Sequence, residues 1–298
     1  SRVRFEPVPF DRLPGWDRDD HLAALRAFQT SCDKVLASVR SGGLTGKVPT
    51  TPELLAACHD AAAMLGVRPH AEAARGFFES HFAPHRVAHD RPEGLLTGYY
   101  EPLLSGARTP DARYKVPVYR RPPELENLVS EALRGATGEA LTHARRTPQG
   151  LAPFATREQI DKGALAGRGL ELIYLEDAVT LFFLQIQGSG KVKLTDGTTV
   201  RISYDGKNGH PYSSVGRYLI DNNLLAADKM SLDALGKWLK ADPERGRKVM
   251  WQNKSYVFFR ELTGDARTAL GVHNIPLTPG RSLAVDAGIH ALGLPIWV

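Results

Sequence analysis

The sequence contains little cysteine and none of the short motifs that identify the commonest enzyme classes. Two cysteines occur in 298 residues, and they form no Cys-x-x-Cys pair, which argues against a structural zinc site. No Gly-x-Ser-x-Gly elbow, Walker loop or His-Glu-x-x-His sequence is found, so serine hydrolases, P-loop proteins and zinc proteases have no support. No apolar run reaches the roughly 18 residues that span a bilayer. The composition, 42% hydrophobic and 24% charged, is typical of a globular protein.

Concentrated positive charge is missing as well. The net charge is +5 and the pI is near 9.2, but the basic residues are dispersed along the chain. A nucleic-acid-binding protein usually shows a basic stripe with interleaved aromatic residues. We therefore expect no nucleic-acid partner, and at most a weak preference for an anionic polymer.

The two cysteines, Cys32 and Cys58, lie on predicted helices with apolar neighbours. They are either two buried thiols or one disulfide. In an oxidising compartment we expect them to pair, closing a loop of about 27 residues that contributes roughly 3 kcal/mol of stability.

The pattern of elements predicts a mixed α+β fold. Hydrophobic periodicity and capping residues predict three helices in the first 85 residues, near 21–40, 52–65 and 70–81. A β-rich region follows, then helices near 215–221, 231–240 and from 243, and then a β-rich end that includes strands over 277–298. Because simple βαβ alternation is missing, a doubly wound sheet is not expected.

The stretch Leu181–Lys193, LFFLQIQGSGKVK, holds the most distinctive pattern. Its dense apolar start predicts a strand, and period-two alternation then places Gln185, Gln187 and Ser189 on one face. Gly188 and Gly190 would let a ligand approach the backbone closely. A row of amides and a hydroxyl suits a glycan. The alternative is a buried strand whose glutamines bond to neighbouring loops.

Carboxylates are the best catalytic candidates in the chain. Glu101 lies in an apolar strand pattern, Glu261 follows Arg260, and Asp286 ends the apolar run SLAVD. A carboxylic acid in an apolar setting has a raised pKa and can donate a proton near neutral pH. The alternative for each is a residue that forms a salt bridge or caps a turn.

Five motifs together resemble the lytic murein transglycosylase A family. They are TGYYEP (97–102), FFLQIQGSG (182–190), NGHPYSSVGRYLI (208–220), NKSYVFFREL (253–262) and PLTPGRSLAVD (276–286). The resemblance implies a double-psi β-barrel domain, formed by residues 1–104 and 208–298 with the N-terminal helices, and a smaller inserted β domain at 105–207. A groove between them would hold the glycan strand of peptidoglycan.

The resemblance also implies the chemistry. The family cleaves the β-1,4 bond between N-acetylmuramic acid and N-acetylglucosamine, leaves 1,6-anhydromuramoyl ends, and uses no metal or cofactor. One carboxyl group suffices, because the sugar's own C6 hydroxyl replaces water as the nucleophile. Asp286 is the catalytic candidate, as a support for the acid. The groove would be lined by Thr97, Tyr99, Tyr100, Glu101, Gln185, Gln187, Ser189 and Tyr212.

The chain departs from the family at its end. Members continue past the segment that matches PIWV with two further aspartates, and we expect the catalytic acid to lie beyond Val298. The alternative is therefore a non-catalytic glycan-binding protein. The resemblance further implies a periplasmic monomer, associated with the outer membrane of a Gram-negative bacterium through a lipid anchor that this chain has lost.

Overall fold

Two units make up the chain, and each combines helices with strands. The computed structural model describes residues 3–40, 51–90, 94, 96, 98–128, 141–263 and 268–298. Unit 1 comprises Ser1–Gly98 and Leu270–Val298, and unit 2 comprises Tyr99–Ala269. The predicted α+β class is confirmed. The domain boundaries drawn from the sequence at 104/105 and 207/208 stay a prediction.

Three helices form the core of unit 1: α1 (His21–Arg40), α2 (Pro52–Gly66) and α3 (Ala71–His81). Their starts follow from local chemistry, because Thr51 and His70 accept backbone N–H bonds at the N-termini of α2 and α3. Phenylalanines of α1 and α3 pack together in the core. Cys32 of α1 and Cys58 of α2 form a disulfide inside this core.

The ends of the chain meet in unit 1. Strand β1 (Arg4–Pro7) pairs antiparallel with β2 (His85–Ala88). Arg281 Nη1 lies 2.7 Å from Asp19 Oδ2, and the rings of Trp16 and Trp297 are 5.2 Å apart. The strands predicted over 277–298 are wrong. That segment is held by turn-type bonds, such as Ile289 N–H to Asp286 O at 2.9 Å, and its two prolines and three glycines disfavour a strand ladder.

A six-stranded sheet is the centre of unit 2. The strands lie in the order β11, β10, β9, β3, β8, β4, with β3 parallel to β9 and the other pairs antiparallel. The predicted hairpin of β9 and β10, with its turn at Asp196 and Gly197, is confirmed. The bounds are β3 (Leu103–Ala107), β4 (Val116–Tyr119), β8 (Glu171–Leu175), β9 (Ser189–Leu194), β10 (Thr199–Lys207) and β11 (Val257–Glu261).

Smaller elements complete unit 2. A three-stranded sheet consists of β5 (Leu125–Asn127), β6 (His143–Thr147) and β7 (Gly150–Ala152). Helix α4 (Arg157–Gln159) is a single turn, and helices α6 (Val215–Asp221), α7 (Leu232–Ala241) and α8 (Pro243–Met250) agree with the predicted helix starts. No helix in the described ranges has the length and hydropathy to cross a membrane.

The strand predicted at the start of the 181–193 stretch is wrong. Residues Ala178–Gln187 form a helix, α5, which begins at the N-cap Asp177 and ends at Gly188 with φ +80°. The apolar run is dense because α5 is buried on two sides, by the sheet core and by a second core with α6, α7 and α8. A short apolar run fits a buried helix as well as a buried strand, and only the cap and the terminal glycine separate the two.

Candidate functional site

An open groove on unit 2 brings together two of the residues predicted from the sequence. Its volume is about 830 Å³, within the range of small-molecule sites. It is lined by Tyr100 and by Phe183 and Gln187 of α5. Helix α7 supplies the remaining lining residues, which are Leu232, Asp233, Gly236, Lys237, Lys240 and Ala241.

Helices α5 and α7 approach each other closely beside this groove. A Cβ atom at Gly236 would lie only 3.2 Å from Phe183 Cε2. Asp177 caps α5 by accepting the Thr180 N–H at 2.8 Å, and Lys240 Nζ of α7 lies 3.0 Å from its other oxygen. Burial pushes the pKa of Asp177 upward, but the hydrogen bonds from Thr180 and Lys240 outweigh burial and hold that pKa below its ordinary value. Asp177 therefore stays charged and links the two helices.

The two tyrosines that precede β3 are exposed. Tyr99 and Tyr100 have 68% and 63% of their surface accessible. Their segment is irregular, not the strand that the sequence predicted. It is held by Glu101, whose two carboxylate oxygens each lie 2.9 Å from Arg201 of β10 in a largely buried pair. Glu101 thus fixes the segment, while the tyrosine rings face solvent.

Gln187 has an unsatisfied polar atom. Its Oε1 is buried and accepts no hydrogen bond from the described residues, although the residue lines the groove. Such a group is costly to leave unpaired, and a ligand donor or a rotated amide would satisfy it.

Gln185 lies in a buried polar cluster, not on the surface. Its Oε1 accepts from Arg157 Nη1 at 2.7 Å, and its Nε2 donates to Val257 O at 3.1 Å. Arg157 also donates to the carbonyls of Asn253 and Ser255, at 3.0 and 2.6 Å. Burial lowers the pKa of the Arg157 guanidinium and raises the pKa of the neighbouring Tyr256 hydroxyl. The amide of Gln185 is therefore satisfied by protein groups.

The other predicted site residues lie outside the groove lining. Ser189 begins β9 opposite Ser203, and Tyr212 is 56% exposed in the loop before α6. Asp286, in unit 1, is exposed and its Oδ1 accepts the Gly288 N–H at 2.8 Å. Thr97 lies outside the described residues. Glu261 is bound by both guanidinium nitrogens of Arg108, which lower its pKa, so it forms the salt bridge offered as its alternative.

Sequence reasoning missed Phe183 and the residues of α7 as parts of the groove. Phe183 and Gln187 are four residues apart, which places them on one face of a helix. The lysines of α7 follow from its amphipathic pattern, in which the polar face carries Asp233, Lys237 and Lys240. Within the described part of the chain, no group of three or more His, Cys, Asp or Glu residues is placed to hold a metal ion.

Fold and groove together define a mixed α+β protein whose unit 2, built around a six-stranded sheet, carries an open aromatic and polar groove. Residues 95–260 match the family model described as the MltA specific insert domain. This match covers more than half of the chain, so the chain belongs to the MltA family.

Named relatives agree with this assignment. The membrane-bound lytic murein transglycosylase A of Vibrio cholerae is 35% identical over 204 residues, which are 68% of this chain and 48% of that protein. The chain thus spans about half the length of the curated relatives that it matches. A crystal structure of a membrane-bound lytic murein transglycosylase from Agrobacterium tumefaciens is similar with a TM-score of 0.79 and 33% identity, covering 96% of this chain and 78% of that one. A crystal structure of E. coli MltA with bound chitohexaose is similar with a TM-score of 0.53 and 29% identity, covering 66% of this chain and 51% of that one.

Proposed function

We propose that this protein binds the glycan strands of peptidoglycan and cleaves the β-1,4 bond between N-acetylmuramic acid and N-acetylglucosamine, leaving 1,6-anhydromuramoyl ends. The main observation in support of this function is that Tyr100, Phe183 and Gln187 line one open groove in a member of the MltA family. Relatives named lytic murein transglycosylase A support the activity.

The groove has the chemistry that a sugar chain requires. Tyr100 presents an exposed ring on which the apolar face of a sugar can stack, and Phe183 supplies a second aromatic surface. The amide of Gln187 can exchange hydrogen bonds with hydroxyl or acetamido groups. A crystal structure of E. coli MltA contains bound chitohexaose, which supports a glycan as the ligand.

The reaction needs a single acid that works twice. It first protonates the glycosidic oxygen, and then removes the proton from the C6 hydroxyl as that oxygen closes on C1. Effective concentration favours this internal attack over attack by water. We assign Asp286 a supporting role. Its Oδ1 accepts the Gly288 N–H, and its exposure leaves the carboxylate open to a partner.

The finer fold and the location of the protein also belong to this proposal. We infer a double-psi β-barrel in the whole protein, and a periplasmic monomer at the outer membrane that acts on the cell wall. The relatives are named membrane-bound lytic murein transglycosylases, which supports an envelope location.

Digestion of purified sacculi followed by mass spectrometry tests the activity. We expect fragments with anhydro ends, which are lighter by one water than the products of a hydrolase. Soluble fragments with hydrated reducing ends would refute the proposed transglycosylase activity. Binding to sacculi without any release would instead favour a glycan-binding protein.

Substitutions in the groove test the site. Tyr100→Ala should weaken binding of chitohexaose by about threefold to tenfold, since one stacking contact is worth about 0.5–1.5 kcal/mol. Leu151→Ala, at a similarly exposed apolar residue on β7, is the control and should bind normally. Asp286→Asn keeps an oxygen for the Gly288 N–H, so a loss of turnover without a change in melting temperature would support a chemical role. Unchanged turnover would remove Asp286 from the mechanism.

A further inference from the structure

The segment that carries Tyr100 into the groove has little support of its own. Residues 98–102 form no helix or strand, and the chain passes from unit 1 into unit 2 between Gly98 and Tyr99. Neither Tyr99 nor Tyr100 forms a hydrogen bond with another residue that the structure describes. The position of the Tyr100 ring therefore depends on the residues that follow it in the chain.

The first of these residues, Glu101, is attached to β10 by a buried ion pair. Arg201 Nη2 donates to Glu101 Oε2 at 2.9 Å, and Arg201 Nε lies 2.9 Å from Oε1. The side chain of Arg201 is 9% exposed and that of Glu101 is 15% exposed. Two contacts between a planar guanidinium and a carboxylate fix direction as well as distance. The pair therefore holds Glu101, and with it the adjoining Tyr100, in one orientation on the sheet.

A backbone bond completes the attachment one residue later. The Lys191 N–H donates to Pro102 O at 2.9 Å, and the chain then enters β3, where Leu103 lies beside Lys191. Lys191 is itself opposite Arg201 in the ladder of β9 and β10. Strand β9 begins only two residues after Gln187. The groove residues Tyr100 and Gln187 are thus both tied to the same end of β9.

We propose that Arg201 is a positioning residue for glycan binding, which acts through Glu101 to hold the Tyr100 ring in the groove that Gln187 also lines. The proposal rests on the function inferred above and adds Arg201 to the residues that determine affinity. Glu101 acts through the tyrosine and not by contact with the ligand, because its carboxylate is buried against Arg201.

The contribution of the pair is preorganisation. A sugar that stacks on a loosely held ring must order the side chain and its backbone on binding, which lowers affinity. Immobilising one such side chain changes affinity by about threefold to tenfold. Glu101→Gln keeps the size of the side chain but replaces one acceptor oxygen by an amide that cannot accept from the guanidinium. It should weaken chitohexaose binding by about threefold, and by no more than Tyr100→Ala does.

A double-mutant cycle on binding tests the proposal. Chitohexaose is titrated by calorimetry against the full chain, against Glu101→Gln and Tyr100→Ala, and against the double variant. We expect the double variant to bind as Tyr100→Ala does, since no ring remains to be positioned. A residue that acts on the ligand by any other route would add its own loss.

A conservative variant and a matched control accompany the cycle. Arg201→Lys keeps the charge but not the planar fork, so it should lose less affinity than Glu101→Gln, and only while Tyr100 is present. If Glu101→Gln does not fold, the same cycle with Arg201→Lys decides. Glu124→Gln alters another two-bond pair, with Arg168 at 2.8 and 2.9 Å, and should bind normally.

Four outcomes would overturn the proposal. Unchanged affinity in both Glu101→Gln and Arg201→Lys would reject the positioning role and leave the glycan function intact. Additive losses from Glu101→Gln and Tyr100→Ala would show that Glu101 does not act through the ring. An equal loss in Glu124→Gln would reduce the effect to general destabilisation, which the melting temperatures of the variants would also reveal. Failure of the unaltered protein to bind chitohexaose would reject the glycan function and the positioning role together.

Discussion

Replacing Arg157 by methionine should destabilise unit 2 strongly. Arg157 is only 4% exposed and lies against the rings of Phe182 and Tyr256, with its guanidinium carbon 4.9 and 5.3 Å from their centres. It donates to three acceptors on two other segments of the chain, namely Gln185 Oε1 and the carbonyls of Asn253 and Ser255. Methionine keeps most of the apolar part of the arginine side chain and removes all of its side-chain hydrogen-bond donors.

The magnitude follows from what the substitution leaves behind. Three buried acceptors lose their donor, and each unsatisfied group costs about 1–3 kcal/mol. Part of this cost is recovered, because the buried guanidinium no longer has to be held away from water. We expect a net loss of about 3 kcal/mol, near the lower end of the sum for three unsatisfied acceptors. For a unit of this size that corresponds to a fall of about 6–12 °C in melting temperature.

Differential scanning calorimetry measures the effect, with Arg168→Met as the matched control. Arg168 binds Glu124 through two bonds of 2.8 and 2.9 Å, but both side chains are more exposed, at 37% and 28%. An exposed pair of this kind contributes about 0–1 kcal/mol. The reasoning is refuted if Arg157→Met melts no lower than Arg168→Met.

A double-mutant cycle with Gln185→Met separates this cluster from general packing. Each single change leaves the other partner of the Arg157–Gln185 bond unpaired, whereas the double change removes both partners of that bond. The double variant should therefore be more stable than the sum of the single losses predicts, with a coupling of about 0.5–3 kcal/mol. Strict additivity would mean that the bond between Arg157 and Gln185 contributes nothing.

Three further predictions concern other parts of the chain. Replacing Cys32 and Cys58 by serine should cost about 3 kcal/mol in urea unfolding, because the disulfide closes a loop with a separation of 26 residues; a reductant should then destabilise the parent protein and not the variant. The bonds from Arg108 hold the pKa of Glu261 below its ordinary value, so their contribution is present above the unfolded pKa and is lost as the pH falls through the folded one. Glu261→Gln should flatten the acid limb of the stability–pH curve by under about 1 kcal/mol, since both side chains are partly exposed, and an unchanged limb would contradict the assignment. Gly190→Ala should cost about 1–3 kcal/mol by overpacking, because a Cβ atom there would lie 2.8 Å from Leu184 Cδ1, with chitohexaose affinity unchanged; weaker binding at unchanged stability would place a ligand there instead.

The helices of this fold were predictable from local chemistry. Helices α1, α2, α3, α6 and α7 begin and end close to the predicted residues, because caps such as Thr51, Ser214 and Ser231 act within one turn. The errors fall where the information is not local. Apolar runs such as SLAVD predict strands over 277–298, yet a strand requires a partner that the pattern cannot specify.

The candidate site was predictable only in part. The exposed tyrosine Tyr100 and the amide Gln187 were both named from the sequence, and they line one groove. Glu101 and Gln185 were named with them, but the structure gives each a protein partner, Arg201 and Arg157. Those arginines lie 100 residues after Glu101 and 28 residues before Gln185, so no local pattern connects the pairs.

The two glutamines of α5 have different roles because a helix, not a strand, carries them. In a strand, residues 185 and 187 would share a face. In a helix they are about 200° apart, whereas residues 183 and 187 are separated by only about 40°. Gln185 therefore faces Arg157 and the sheet core, and Gln187 lies with Phe183 at the groove. The glycines that follow have structural reasons as well, since Gly188 ends the helix at positive φ and the missing Cβ of Gly190 leaves room for Leu184. The segment whose sequence pattern suggests a ligand-binding strand is thus a helix. One face of this helix packs in the protein core, and another face lines the groove.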